Sequence, residues 1–143
     1  MSLPLKLQEI VDDFAGMTRE EKLETLIGYA ETFPPLPERF REARDRMEPV
    51  PECMTPVFLI AEKGPGGGIV FHVDCPPQSP TVRGLASILV NGLNGSSLEE
   101  ILAVSADFYL PMNLDEAVSQ QRLNGFGAVL AHMKQSAVKA ASQ

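Results

Sequence analysis

The sequence is poor in residues that would place it in several large protein classes. Cys53 and Cys75 are the two cysteines among 143 residues, and His72 and His132 are the two histidines. Two cysteines are too few for the disulfide framework of a small secreted domain, and no Cys/His set has zinc-ligand spacing. The formal net charge of −7 leaves no surplus of Lys and Arg for a phosphate backbone. We therefore expect no metal, no other cofactor and no nucleic-acid partner.

Long apolar runs are missing as well. No stretch approaches the roughly 20 apolar residues that a membrane-spanning helix needs, and no basic start leads into an apolar run. Hydrophobic residues make up 44% of the chain and charged residues 22%, which is typical of an ordinary globular domain. The composition predicts one soluble, cytoplasmic domain over residues 1–143 with no membrane partner.

The N-terminal third has the pattern of two amphipathic helices. Apolar residues recur at helical spacing over 7–14, and Gly16 follows as a stop. Thr18 and Glu21 form a capping box for a second helix that runs to about Phe33. Prolines then forbid continuation, and residues 38–47 are predicted to form a short solvated helix or an ordered loop.

The middle of the chain is predicted to form a β-hairpin. Residues 57–61 and 69–75 are apolar and rich in strand formers, and the Gly-rich residues 63–68 between them favour a turn. We take Glu62 and Ile69 as the last pair before that turn.

This register has a consequence for the two cysteines. It sets Pro56 opposite Cys75, so both thiols reach the same end of the hairpin. The expected separation of the cysteine Cα atoms is ~10 Å, beyond the ~7 Å that a disulfide needs. We therefore expect two free thiols, with closure by loop motion left open.

Capping residues predict the helices of the C-terminal half. Ser79 is an N-cap before a proline at the first helical position, and Asn94-Gly95 ends that helix. Ser97 begins a short helix with a capping box, and Ser119 begins a long last helix. Helices before and after a hairpin predict an α+β domain in which a small antiparallel sheet is packed against several helices.

Cys53 is the residue around which we expect chemistry. It lies on a loop between Pro51 and the first predicted strand, and partial exposure is what distinguishes reactive cysteines from buried structural ones. Glu52 beside it disfavours the thiolate, so a nearby cation has to compensate. The candidates in the sequence are the guanidinium groups of Arg44, Arg46 and Arg122.

Two other side chains of the hairpin are candidates for supporting roles. Cys75 falls on the apolar face of the second strand, so packing is its default interpretation. Asp74 and His72 point to the opposite face, which is either a solvent-facing edge or part of the site. Arg122 follows Ser119 in a first helical turn, where a cation is mildly unfavourable unless another contact compensates.

Four segments in order resemble the SufE/CsdE family of cysteine desulfuration proteins. Residues 50–58 read V-P-E-C-M-T-P-V-F, similar to that family's V-x-G-C-Q-S-x-V-W around its sulfur-accepting cysteine. Residues 33–37, F-P-P-L-P, resemble its L-P-x-L-P, and 82–85, V-R-G-L, resemble its V-K-G-L. Residues 119–126, S-Q-Q-R-L-N-G-F, resemble its S-x-x-R-x-x-G-L.

The resemblance implies a SufE-like fold and a role as a sulfur acceptor. A cysteine desulfurase dependent on pyridoxal phosphate would form a persulfide, Cys53 would take its outer sulfur, and an iron-sulfur scaffold would receive it. The protein would activate its partner rather than act as a stand-alone enzyme. The segment differs from the family pattern at Glu52, Met54, Thr55 and Phe58. Arg122, Asp74 and Thr55 are the expected supporting residues.

Two other functions stay open at this point. The chain is also compatible with a non-catalytic adaptor that binds an assembly protein through its acidic surface while Cys53 is idle. A peroxide-sensing protein that uses Cys53 and Cys75 as a reversible pair is the third possibility.

Overall fold

A computed structural model describes residues 3–42, 44–53 and 55–142, apart from the side chain of Arg44. Six α-helices and three strands carry the fold in these ranges. In chain order they are α1 (Leu5–Ala15), α2 (Arg19–Glu31), α3 (Glu38–Arg41), β1 (Glu48–Pro49), β2 (Phe58–Lys63), β3 (Ile69–Asp74), α4 (Pro80–Leu93), α5 (Leu98–Leu102) and α6 (Gln120–Ala141). Single 3-10 turns lie at Arg44–Arg46, Leu110–Met112 and Leu114–Glu116. The α+β prediction is confirmed.

The predicted capping boxes form as expected. The Thr18 hydroxyl accepts from the Glu21 amide while the Glu21 carboxylate accepts from the Thr18 amide. Ser97 and Glu100 do the same at the start of α5. Each box satisfies two amide groups that the first helical turn leaves without an internal partner. Two helix starts are thus defined by local sequence alone.

The sheet has the antiparallel order β1-β2-β3, one strand more than the hairpin that the sequence predicts. The predicted register is wrong by one residue, because Lys63 rather than Glu62 pairs with Ile69. The turn is tighter than expected: the Gly64 amide donates to the Gly68 carbonyl at 2.6 Å, which lets the ladder extend to Lys63. Continued past the Phe58–Asp74 pair, this register places Val57, not Pro56, opposite Cys75.

Helices cover one face of the sheet. α6 lies across β2 and β3, α4 packs behind β3, and α1 and α2 pack on α4. The strand residues that face these helices are buried, among them Leu59, Ile69, Phe71 and Val73. Side chains alternate across a strand, so this row forms the floor of one contiguous core.

Residues 38–47 contain the predicted short helix, α3, and Glu38, Arg39 and Arg41 on it are exposed. The Phe40 side chain of this helix is buried, with its ring 5.2 Å from that of His72 and beneath the Arg39 guanidinium.

The start of α4 differs from its prediction in one respect. Ser79 precedes α4 as predicted, but its side chain makes no capping bond. The Ser79 hydroxyl lies instead 3.1 Å from that of Thr55, so it ties the cysteine loop to the start of α4.

Candidate functional site

The Cys53 loop connects β1 to β2. The Val50 amide donates to the Val57 carbonyl at 2.9 Å, which closes the base of the loop. Inside it, the Cys53 amide donates to the Val50 carbonyl at 3.2 Å and completes a tight turn. Pro51 occupies the second position of that turn, where its fixed φ suits the backbone. The loop position of Cys53 therefore follows from short-range contacts on both sides of it.

The loop sets Cys53 against the N-terminal half of α6. Its Sγ lies 3.7 Å from the Gly125 carbonyl oxygen, within range of a weak thiol hydrogen bond. A Cβ atom on residue 125 would lie 3.2 Å from that sulfur, tighter than ordinary contact. Glycine at this position thus makes room for the thiol.

Cys53 lies in the wall of a cavity of about 470 Å³. The cavity floor is apolar and comes from α4 and α6, and its rim is polar. The apolar lining residues are Val82, Leu85, Ala86, Phe126 and Val129, and the polar ones are Thr55, Ser119, Gln121 and Arg122. The rim includes the first turn of α6, where helix amides carry partial positive charge. The cavity therefore combines an apolar interior with a positive entrance.

The thiol of Cys53 is half-buried rather than freely accessible. Burial, followed by the charge of Glu52, raises the pKa of Cys53 above its ordinary value. The resting group is accordingly a protonated thiol at neutral pH. Because burial is the larger cause, movement of the loop into solvent would lower this pKa.

Of the two candidate cations whose side chains the structure describes, Arg122 lines the pocket and Arg46 does not. Arg122 is exposed at the rim of the cavity that Cys53 lines. Arg46 lies elsewhere, with its guanidinium 5.8 Å from the centre of the Phe40 ring. The Arg44 side chain and Met54 lie outside the described parts of the chain.

A histidine that we did not connect to the site provides the compensating charge for Glu52. The Nε2 atom of His132 lies 3.0 Å from the Glu52 carboxylate, and its Nδ1 atom contacts Glu48. Burial by itself would lower the pKa of His132, but the hydrogen bonds to Glu48 and Glu52 outweigh it and the pKa is raised. His132 follows Gly125 by two helical turns, and that spacing is the sequence signal that would have revealed it.

Asp74 is the last residue of β3, and Cys75 follows it directly. Cys75 is buried, and burial raises its pKa to about 12 although the charge of Arg83 opposes the shift. The charges of Cys53 and then Asp74 raise it further, so both groups lie near Cys75. Among the described residues, neither Asp74 nor Cys75 lines the cavity. Both cysteines are free thiols.

Arg83 is a second group that the sequence analysis left without a role. Its guanidinium donates to the Cys75 carbonyl and lies 4.4 Å from the centre of the Phe33 ring. It thereby joins the start of α4 to the end of β3 and to the segment after α2. Arg83 is a structural support for the wall behind the cysteine loop.

The described residues contain no group of three or more His, Cys, Asp or Glu side chains arranged to hold a metal ion. No helix within them is both long enough and apolar enough to span a membrane.

Known proteins match most of the chain. The family described as "SufE: Fe-S metabolism associated domain" matches residues 8–137. An uncharacterized SufE-like protein of Mycobacterium tuberculosis is 41% identical over 133 residues, which are 93% of this chain and 92% of that protein. SufE-like protein 1, chloroplastic/mitochondrial, of Arabidopsis thaliana is 32% identical over 95% of this chain and 36% of its own length.

The fold has a counterpart among solved structures. The solution structure of a hypothetical protein from Thermus thermophilus superposes with a TM-score of 0.86 at 32% sequence identity. The match covers 99% of this chain and all of the other. Fold and site together define a small α+β protein that presents one loop cysteine to a cavity beside its last helix. By sequence, this chain belongs to the SufE family.

Proposed function

We propose that this protein accepts sulfur on Cys53 from the persulfide of a cysteine desulfurase dependent on pyridoxal phosphate, and delivers it to an iron-sulfur scaffold. The observation that carries the proposal is the placement of the Cys53 thiol in the wall of the cavity beside α6. Membership of a family described as associated with Fe-S metabolism supports it. The cytoplasmic location expected from the sequence stays a prediction.

The transfer step needs only thiol exchange. The Cys53 thiolate attacks the outer sulfur of the desulfurase persulfide, a new S–S bond forms on Cys53, and the S–S bond of the desulfurase breaks. The desulfurase cysteine leaves as a thiolate, and the proton of the Cys53 thiol passes to solvent. The outer sulfur keeps its oxidation state, so no oxidant or reductant is required. This chain therefore acts as an activator of its partner rather than a complete enzyme.

The cavity suits a carrier that holds a persulfide sulfur on Cys53. Apolar walls formed by Val82, Leu85 and Phe126 shield a sulfur held at Cys53 from competing oxidants in water. At the rim, Arg122 and the first turn of α6 favour the anionic sulfur of a persulfide over a neutral one. Thr55, bonded to Ser79, holds the outer side of the loop.

The redox-pair alternative is less well supported. A reversible disulfide needs a second thiol that reaches the thiolate state, yet burial raises the pKa of Cys75 to about 12. Cys75 is also buried in the core against the strand face, where it behaves as a small apolar residue. The adaptor alternative predicts that Cys53 is dispensable. Substitution of each cysteine in turn therefore distinguishes the redox pair and the adaptor from sulfur transfer.

The experiment that tests the proposal is stimulation of cysteine desulfuration by purified variants. We expect Cys53→Ser to abolish the stimulation because it removes the attacking sulfur. Cys75→Ser, the matched control, should retain it, since the buried thiol takes no part. A Cys53→Ser protein that stimulates the desulfurase as well as the parent would overturn the proposal and favour the adaptor.

A further inference from the structure

His132 touches the Cys53 loop through the one residue that precedes the thiol. Its two ring nitrogens contact two different carboxylates: Nδ1 contacts Glu48 on β1, and Nε2 lies 3.0 Å from Glu52 in the loop. The histidine is on α6, two turns beyond the Gly125 carbonyl that faces the Cys53 sulfur. The loop is therefore fastened to α6 at two points about 10 Å apart along the helix axis.

The chemistry of the two contacts fixes the protonation of the ring. An ionised carboxylate can only accept hydrogen bonds, so each of the two contacts requires an N–H on the ring. A neutral imidazole has one N–H, whereas the imidazolium has two. The observed arrangement therefore requires a doubly protonated ring, in agreement with the lowered pKa of both glutamates and the raised pKa of the histidine.

Loss of one proton has an unequal effect on the two contacts. Glu48 is also held by the Ser136 hydroxyl at 3.3 Å and by the Lys139 ammonium at 3.5 Å, and only 18% of its side chain is exposed. The Glu52 side chain is 55% exposed. The remaining N–H thus stays with Glu48, and the Nε2 lone pair then faces the Glu52 carboxylate. Two acceptors repel each other, so the Glu52 contact is the one that opens.

We propose that His132 is a positioning residue: with both ring nitrogens protonated it fastens the Cys53 loop to α6 through Glu52, and when neutral it releases Glu52 while it keeps Glu48. The charged groups that face it are Glu48 from β1, Glu52 from the loop and, through Glu48, Lys139 of its own helix. The purpose of this positioning role rests on the proposed function, because the loop that His132 releases is the one proposed to accept sulfur. The contact between His132 and Glu52 itself depends on geometry alone.

The direction of the pH effect follows from linkage. The pKa of His132 is raised in the folded protein, so the contact is complete below the ordinary histidine pKa of about 6.5. The contact is then lost as the pH rises through the raised value in the folded state. Release therefore occurs as the pH rises, which is also the direction in which the Cys53 thiol loses its proton.

The test is the protection of the Cys53 amide, measured by NMR as its observed exchange rate relative to the intrinsic rate at each pH. This amide donates to the Val50 carbonyl inside the loop, so its protection reports loop docking. In the parent protein we expect protection to fall about two- to fivefold, the range for an exposed ion pair. The midpoint of that fall should coincide with the titration of the His132 ring in the same sample.

Two variants and a control make the test specific. His132→Gln should have a protection that is flat with pH, because an amide does not titrate in this range. Glu52→Gln should also be flat, since its amide can pair with either form of the ring, and its exposed position leaves folding intact. His72→Gln is the matched control: His72 contacts a single carboxylate, that of Glu62, at 2.7 Å and should behave as the parent does.

A flat profile in the parent, or a Glu52→Gln profile that still falls with pH, would overturn the proposal. The measurement needs no desulfurase, so it can fail or succeed independently of sulfur transfer. If Cys53 accepts no sulfur while its protection follows the His132 titration, the proposed function fails and the positioning role stands.

Discussion

The contact between Cys53 and Gly125 is the most sensitive point of the site at the residue scale. Gly125→Ala would place a Cβ 3.2 Å from the Cys53 sulfur, and the sulfur is the partner free to move. We expect the thiol to shift outward, lose burial and react severalfold faster with iodoacetamide at neutral pH, because burial is the main cause of its raised pKa. The measurement is the alkylation rate of Cys53.

Gly127→Ala provides the control on the same helix, since nothing lies within 4 Å of its added Cβ. Both substitutions should stabilise α6 by up to ~1 kcal/mol through helix propensity. Equal alkylation rates in the two variants would contradict the close approach of the thiol to Gly125.

Arg122 supports a second prediction at this scale. Arg122→Ala should slow sulfur acceptance, because it removes the cation at the rim of the cavity that receives an anionic sulfur. Its exposed side chain predicts an unchanged melting temperature. Arg41→Ala, another exposed arginine whose guanidinium donates to the Leu36 carbonyl at 3.2 Å, controls for loss of charge. Identical transfer rates in the parent and Arg122→Ala would leave Arg122 without a role.

At the scale of elements, the approach of α4 to α2 positions the wall behind the cysteine loop. A Cβ on residue 84 would lie 2.4 Å from the Leu26 carbonyl oxygen, a backbone atom that cannot turn aside. We expect Gly84→Ala to destabilise the protein by ~1–3 kcal/mol, the usual cost of overpacking. The measurement is the urea midpoint at an unchanged slope.

Gly28→Ala on α2 is the matched control for this substitution. No atom lies within 4 Å of its added Cβ, so we expect a stabilisation of up to ~1 kcal/mol. If Gly84→Ala were as stable as Gly28→Ala, the result would contradict the close packing of α4 against α2.

Elements with local signals could be predicted from the sequence, and those without such signals could not. Thr18 and Ser97 define helix starts through contacts within four residues, which the sequence displays directly. β1 has no such signal, because Glu48 and Pro49 are both disfavoured in strands. It exists because its backbone pairs with Leu59 and Phe58 across the cysteine loop. The one-residue error in the hairpin register arose from the close Gly64–Gly68 contact.

At the scale of the whole molecule, the site depends on contacts between distant segments. The pattern of residues 50–58 pointed to Cys53, and Arg122 lines the same cavity as Cys53. His132 and Glu52 are 80 residues apart, and only the packing of α6 against the loop brings them together. The helical spacing places His132 on the same side of α6 as Gly125, but no motif in the sequence names Glu52 as its partner. The resemblance of residues 50–58, by contrast, was enough to identify the loop.

The fold also separates the two thiols by environment. Cys75 lies in the core, where the thiolate is strongly disfavoured, and Cys53 lies in the wall of the cavity. The account therefore predicts that only one of the two cysteines carries sulfur. The three candidate functions differ in what they do to the mass of the protein.

The most direct test is mass spectrometry of the protein after incubation with a cysteine desulfurase and cysteine. The account predicts one added sulfur on the peptide that contains Cys53, in the parent and in Cys75→Ser, and none in Cys53→Ser. An unchanged mass in the parent, the loss of two hydrogens, or added sulfur on Cys53→Ser would contradict it.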